Sequence, residues 1–366
     1  MTLATREFDM VILGAGPVGA TLALLLAGSH HRCTPIETIH ISQSGGFGRT
    51  LIDRHDYRIP ALGYVVRYSA LIGGLHQALD RAIQRHGDRL VCLEKTAARV
   101  VETPPSETMQ PSAEGFWRYV ELTGQGDPIT VRTRLIVHAE GTPPDDSKGV
   151  IVRGYDQRAI IFEASTAESH HQRAWERFTP QGPLALLPVD GIGGKRVSVV
   201  YTVPENEADQ LLALDDEAIL QRIQQAIGPQ ARFTAIGRRA SFPLKLRLRQ
   251  PMVQDRELWI GNAAQTLHPV SGQGFNLGLR DAAVLAQSLR QSLDPGSMPM
   301  LTRYAHSRQL DRWGAAGFTD GIVRAFSTPF PALNAVRGVA LSALDLIAPL
   351  RHFVARRMIW GARAWP

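Results

Sequence analysis

A short apolar strand that runs straight into a glycine step is the strongest constraint in this sequence. Residues 9–13 read DMVIL, and Gly14-Ala15-Gly16-Pro17-Val18-Gly19 follows at once. The next stretch, ATLALLLAG, is apolar on nearly every side, as expected of a buried helix, with Gly28 as its stop. Strand, tight glycine turn and helix in this order make the opening unit of an α/β dinucleotide fold. Gly14 permits the turn, Gly16 lets the backbone approach a pyrophosphate, and Gly19 lets the helix pack closely on the strand. The helix N-terminus then turns its unpaired N–H groups and the positive end of its dipole toward the phosphates. Glycine-rich turns also join strands to helices with no ligand present, so the step alone is a weak signal.

A second run, far down the chain, carries more weight. Trp259 to Asp281 (WIGNAAQTLHPVSGQGFNLGLRD) packs a short strand, a proline-bearing turn, a Gly-Gln-Gly step and a helix start into one compact segment. Such a segment aims several backbone N–H groups at something flat or anionic. Two separated loops that converge on one ligand imply a large cofactor, and the combination points to FAD. His268, which precedes Pro269, is a candidate general base, and it reads equally well as a structural residue of the turn.

The rest of the chain excludes several classes. At 366 residues it has room for a large core, and 44% hydrophobic with 20% charged residues is ordinary for a globular protein. The formal charge of +6 is mildly basic, but no arginine-rich groove with interleaved aromatics occurs, so no nucleic-acid partner is expected. Two cysteines, Cys33 and Cys92, make no disulfide framework and suggest a reducing compartment. The N-terminus lacks the positive start and longer apolar core of a secretory signal, and no window holds 18 uninterrupted apolar residues. The expectation is a cytoplasmic protein, with peripheral contact to the inner face of the membrane left open. The pairs His30-His31 and His170-His171 lack metal-ligand spacing, and no metal is expected.

Patterning along the chain predicts one composite unit. Residues 1–65 and 66–150 form the first part of a dinucleotide-binding domain, and 151–250 an inserted, mainly antiparallel sheet of strands separated by turns. Residues 251–296 return to the first domain, and 297–366 form a helical C-terminus. The helix after Gly274 is predicted to bury Phe275, Leu279, Ala282, Ala286, Leu289 and Leu293. Near the C-terminus Arg351, Arg356, Arg357 and Arg363 lie among Phe353, Ile359, Trp360 and Trp365. Basic heads beside aromatic bodies suit a membrane interface; a helix packed on the core with its arginines in water has the same composition.

The run GNAAQTLHPVSGQGFNLGLRD resembles the second FAD-binding motif of the flavoprotein aromatic hydroxylases, in particular their ubiquinone-biosynthesis branch. Further matches are PIETIHISQSGGFG at 35–48, ALGYVV at 61–66, FTPQGPLALLP at 178–188 and GFTDGIVRAFS at 317–327. The resemblance spans nearly the whole chain. It implies a Rossmann-like FAD-binding domain with an inserted substrate sheet. It also implies a monooxygenase that hydroxylates a polyprenylated phenol with NAD(P)H and O2, through a C4a-hydroperoxyflavin. On this reading Gly261 and Asn262 meet the ribityl chain, Pro269 lies beside the isoalloxazine, and Gly272, Gln273, Gly274, Phe275 and Asn276 aim N–H groups at the flavin. Such donors stabilise the charge of reduced flavin. Leu184, Leu186 and Pro188 would form the substrate-side wall, and other ubiquinone-biosynthesis proteins are implied as partners.

Two places depart from the family's pattern. Glu37 lies eighteen residues after Gly19, the distance at which a carboxylate binds the adenosine ribose. Yet its surroundings match a later family segment, and Pro35 is awkward in a central parallel strand. The favoured reading is that an internal segment is missing here. The second departure is Glu140-Gly141, where relatives carry Asp-Gly at a motif that touches FAD and the nicotinamide; Glu140 is one methylene longer. Two expectations follow: an active FAD-dependent hydroxylase, or a degenerate member that keeps the fold and acts as a non-catalytic partner of biosynthetic proteins.

Overall fold

A computed structural model describes residues 7–14, 17–25, 34–87, 89–102, 117–124, 126–327 and 331–361. The chain opens with β1 (Glu7–Phe8), β2 (Val11–Leu13) and α1 (Pro17–Leu25). It continues through β3 (Thr34–Ile36), β4 (Thr38–Gln43), β5 (Arg49–Asp53), β6 (Gly63–Val65) and α2 (Tyr68–His86). After these come β7 (Ala97–Val101), β8 (Arg118–Thr123), β9 (Ile129–Thr133) and β10 (Ile136–His138). The middle section holds β11 (Val150–Thr166), β12 (Arg173–Phe178), β13 (Pro183–Pro188), β14 (Arg196–Pro204), α3 (Glu205–Ala213), α4 (Asp216–Ile227), β15 (Phe233–Ile236) and β16 (Ala240–Arg249). Last are β17 (Val253–Gln254), β18 (Glu257–Trp259), β19 (Gln265–Thr266), α5 (Gln273–Arg290), α6 (Met298–Ser327), α7 (Pro331–Leu346) and α8 (Ala348–Trp360).

Among the described residues four sheets form, of which β1-β9-β8-β7 and the ribbon β3-β6 are peripheral to the two that organise the site. The smaller runs β17-β18-β10-β2, with β10 parallel to both β18 and β2. Its strands are short, and their apolar residues are buried between layers; Ile136, Val137 and Leu258 are fully buried. The larger runs β19-β16-β11-β14-β13-β12-β4-β5, with β15 beside β11. It is antiparallel throughout except where β12 meets β4. Strands β4 and β5 therefore join the large sheet, although residues 1–65 read as part of the nucleotide-binding domain. The cause is a parallel pairing between segments far apart in sequence, which local patterning does not carry.

Alternation along the large sheet separates two apolar layers. Leu184, Leu186, Val197, Val199 and Tyr201 pack against Leu211, Ile219, Ile223 and Ile227 of α3 and α4. Spacing of four puts the three isoleucines on one stripe of α4, and Asp215 caps that helix by accepting the Ala218 N–H. Burying each such side chain contributes about 1.5–3 kcal/mol. The opposite face turns to the cofactor half and the C-terminal helices. Leu246 and Leu248 pack there with Leu267, Leu277 and Ala316, and Ile39 and Ile41 pack near Ala355 and Ile359 of α8.

Helix α5 buries a stripe that shares Ala282 and Ala286 with the one predicted and is otherwise rotated from it. Leu277, Gly278, Asp281, Ala282, Leu285 and Ala286 face inward, while Phe275 is 39% and Leu293 99% exposed. A buried carboxylate in the middle of the stripe hides it from a search for apolar spacing.

Candidate cofactor site

The two glycine motifs meet in space. Gly14 has φ +98°, and a Cβ there would lie 2.6 Å from the Ala139 carbonyl oxygen. At Gly19 a Cβ would lie 2.1 Å from the Gly14 carbonyl oxygen. Both glycines are thus required by the close approach of the β2 turn, α1 and the end of β10. Pro17 starts α1, where its fixed φ fits and its missing N–H costs no hydrogen bond. Gly16 lies outside the described residues. One turn into α1, Val18 fills the notch left by two distant glycines: a Cβ at Gly261 or Gly278 would come within 3.0 Å of its methyls.

The turn at Gly261 (φ +59°) rests on a buried polar network. Asp281, with no exposure, accepts the Gly261 N–H at 3.1 Å, the Gln265 amide at 2.6 Å and Arg308 Nε at 2.7 Å. Arg308 also binds Asp311. Arg312 holds Gln265 Oε1 at 2.7 Å and the Ala264 carbonyl at 3.1 Å. Burial works against the charge on Arg308, but the adjacent Asp281 carboxylate outweighs it and holds the guanidinium pKa up. Asn262 stands exposed and donates to Thr142 Oγ1 at 3.3 Å, which ties the turn after Glu140-Gly141 to the second motif. Gly141 takes φ +97° in that turn.

At the entrance to α5, Gly272 has φ +59°, and a Cβ at Gly272 or Gly274 would meet nothing within 4 Å. The 18-residue helix that starts at Gln273 aims its N-terminal N–H groups along this open side. Gln273 points away from it, buried and tied to the Met358 carbonyl of α8 at 2.7 Å. Asn276 donates to the Gly272 carbonyl at 3.4 Å. Pro269 begins the single turn before Gly272.

His268 is 1% exposed and packs edge-on to Tyr155 at 5.1 Å. Its Nδ1 accepts the Val270 N–H at 3.1 Å, so the ring proton resides on Nε2. That buried Nε2–H meets no acceptor among the described residues. Burial pushes the imidazole pKa down to about 4, which keeps it neutral at pH 7. The lone pair a general base needs is already engaged by the Val270 N–H. This corrects the general-base reading.

Two further expectations need correction. Glu37 does not follow a strand beside β2; it leads into β4 of the large sheet and pairs with Arg54 at 3.3 Å. Pro35 lies opposite Tyr64 in a two-stranded ribbon of β3 and β6. Among the described residues β2 has β10 as its one neighbour, and no strand brings a carboxylate to the adenosine ribose. Counting from Gly19 failed because the chain does not continue the unit that the count assumes. Leu184 and Leu186 are fully buried in the layer against α3 and α4, and Pro188 shares their phase. Alternation gives the cofactor side to Ala185 and Leu187, one residue out of step with the predicted wall.

The residues therefore fit the flavin end of FAD: an open glycine loop and a helix N-terminus lie together. The adenosine end offers Gly14, Gly19 and the start of α1, with no strand-borne ribose carboxylate among the described residues. Asp281, Gln265, Arg308 and Arg312, which hold the Gly261 turn, were not predicted as functional. Their one sequence signal is the spacing of Arg308 and Arg312 by a helical turn.

A two-loop nucleotide cradle joined to a large mixed sheet and closed by C-terminal helices defines the fold of the flavoprotein monooxygenases. Residues 119–319 match the family described as FAD binding domain. Ubiquinone hydroxylase UbiL of Rhodospirillum rubrum is 34% identical over 99% of this chain and 92% of its own length. An uncharacterized protein of Synechocystis, slr1300, is 29% identical over 98% of this chain and 94% of its own length. That alignment runs over 407 positions, more than the 366 residues of the chain, so positions of the relative lack a counterpart here. The crystal structure of p-nitrophenol 4-monooxygenase PnpA from Pseudomonas putida superposes with a TM-score of 0.73, covering 99% of this chain and 100% of that one at 12% identity. The chain belongs to the FAD-dependent hydroxylases of the ubiquinone-biosynthesis family.

Proposed function

We propose that this protein hydroxylates a polyprenylated phenol in ubiquinone biosynthesis, with NAD(P)H as reductant and O2 as oxidant. The observation that carries the proposal is the open Gly272–Gly274 loop at the N-terminus of α5. FAD bound here supplies the oxygen-activating chemistry. The backbone N–H groups of 272–276 and the dipole of α5 stabilise negative charge on the ring beside them. Pro269 shapes the wall of the turn before Gly272, and His268 braces it by accepting the Val270 N–H. The row Ile41, Glu176, Ala185, Val200 and Ile161, aligned by strand register on the side of the sheet opposite α3 and α4, is apolar except for Glu176, whose pKa burial pushes up to about 8, so that a mostly uncharged row suits an apolar substrate body. Likeness to UbiL supports the substrate class.

Purified protein is expected to show the visible absorption of bound flavin and to oxidise NAD(P)H with formation of hydroxylated product from a prenylated phenol. A colourless protein that stays colourless with added FAD would sink this function. It would favour the non-catalytic partner, a reading supported by the lack of a strand-borne ribose carboxylate among the described residues.

Peripheral membrane contact is part of the same proposal. Among the described residues no single helix is long and apolar enough to cross a membrane. Segments 335–346 and 348–360 meet at 94°, and Val339, Leu346, Ile347 and Phe353 on them are 51–83% exposed. Arg357 lies 3.5 Å over the Phe353 ring. Such a corner suits the headgroup boundary of an anionic bilayer. The protein is expected to float with phosphatidylglycerol vesicles, and Leu346→Glu with Ile347→Glu to stay in the aqueous fraction. Equal flotation of both proteins would remove this corner as the contact.

A further inference from the structure

Both ring nitrogens of His138, the last residue of β10, face a carboxylate. Nδ1 lies 3.2 Å from Glu140 Oε2, and Nε2 lies 2.9 Å from Glu257 Oε2. A neutral imidazole carries one N–H and serves one acceptor; serving two requires the imidazolium. The ring is buried and stacks on Trp259 at 4.6 Å with 5° between planes. Arg249 of β16 lies 4.4 Å over that same indole. Glu257 comes from β18 and is held on its other oxygen by Arg118 of β8, which also reaches Asp255 at 3.4 Å. The charged groups around the ring are thus Glu140 and Glu257 in contact, with Arg118 and Arg249 beyond them. Nothing in the proposed chemistry uses this cluster.

We propose that the His138 imidazolium is a positioning residue for the cofactor: it folds Glu140 back onto β10 and thereby fixes the 140–142 turn against which FAD is bound. The inference rests on the FAD reading above. Its geometric basis is the tie from that turn to the second motif, Asn262 to Thr142 at 3.3 Å. An aspartate at position 140 would be one methylene shorter, and the extra reach of Glu140 is what closes the contact with Nδ1.

The two carboxylates differ in what they lose when the ring gives up a proton. Glu257 is buried, with a side chain 11% exposed, whereas that of Glu140 is 52% exposed. Water replaces the partner of Glu140 at little cost, while an unserved buried carboxylate is expensive. The remaining N–H therefore stays with Glu257, and Glu140 is released. Burial works against charge on the ring, but the two carboxylates outweigh it and raise the His138 pKa above its ordinary value. The clamp is complete below pH 6.5 and is lost as pH rises through that raised pKa.

Histidine-ring NMR on the apoprotein and flavin-fluorescence titration with FAD test the inference together. In the first, His138 is expected to titrate above pH 6.5, and E140Q to lower its pKa. In the second, FAD binding is expected to weaken by about five- to tenfold between pH 6 and pH 9, the low end of typical couplings between sites. H138Q should bind FAD at pH 6 as weakly as the parent protein does at pH 9, and E140Q should flatten the pH profile. A His138 pKa that E140Q does not move overturns the clamp. FAD affinity that is flat with pH while His138 titrates overturns the positioning role alone. Failure of FAD to bind at any pH overturns the proposed function as well.

Discussion

Arg308→Ala is expected to destabilise the protein by about 3–5 kcal/mol, the cost of breaking a buried ion pair from one side. The guanidinium is 1% exposed and is shared between Asp281 and Asp311. Its removal leaves two carboxylates in the interior with one amide and one backbone N–H between them. Because Asp281 accepts the Gly261 N–H, the effect extends to the turn that meets the cofactor. The midpoint of urea denaturation checks the stability, and FAD affinity checks the turn. The double variant Arg308→Met with Asp281→Leu separates the two effects. It removes the Arg308–Asp281 pair but leaves Asp311 buried without its partner, so it regains only part of the lost stability, and it leaves Gly261 without its acceptor, so FAD affinity stays low. Recovery of both in the double variant would show that the network serves stability alone.

Gly19→Ala is the second change with a large expected effect. Its Cβ would lie 2.1 Å from the Gly14 carbonyl oxygen and 3.3 Å from the Ala139 Cβ. Neither neighbour is the free end of a flexible side chain, so α1 must move off the strand. Overpacking of this kind costs about 1–3 kcal/mol and more where backbone has to shift, and FAD binding is expected to be lost with it. Gly274→Ala provides the contrast, since its Cβ meets nothing within 4 Å. An alanine near a helix start is favourable by up to about 1 kcal/mol. Gly274→Ala should therefore keep or raise the melting temperature while weakening FAD binding, because the methyl occupies the open side of the loop. If Gly19→Ala melts and binds FAD as the parent does, the close approach at Gly14 is not what holds the site.

What was legible in the sequence was what local sterics and spacing encode. Gly14 and Gly19 could be assigned because a glycine step between strand and helix has few other uses, and the structure gives each a specific obstruction. The helix after Gly274 was readable from its length and its stop, but not its buried face, since Asp281 occupies the centre of the stripe. The alternation of β13 showed that two faces exist without showing which faces the cofactor, so Leu184 and Leu186 were placed on the wrong side. Glu37 left two readings because the residue count presumes continuous connectivity while its surroundings match a later segment, and the structure leads it into β4. The pairing of Asp281 with Arg308, and that of His138 with Glu257, join segments that touch only after the sheets have formed. No local pattern announces either.

The parallel pairing of β4 with β12 also governs how the molecule is assembled during synthesis. Thr38–Gln43 has no ladder on one side until Arg173–Phe178 exists, and β10 has one neighbour until Glu257–Trp259 emerges. Each sheet thus closes with strands made more than a hundred residues later. Contacts of such long range pay loop-closure entropy before they return any stabilisation, which makes folding slow. A nascent chain of this protein carries open strand edges through most of its translation, and neither half is a unit that folds ahead of the other.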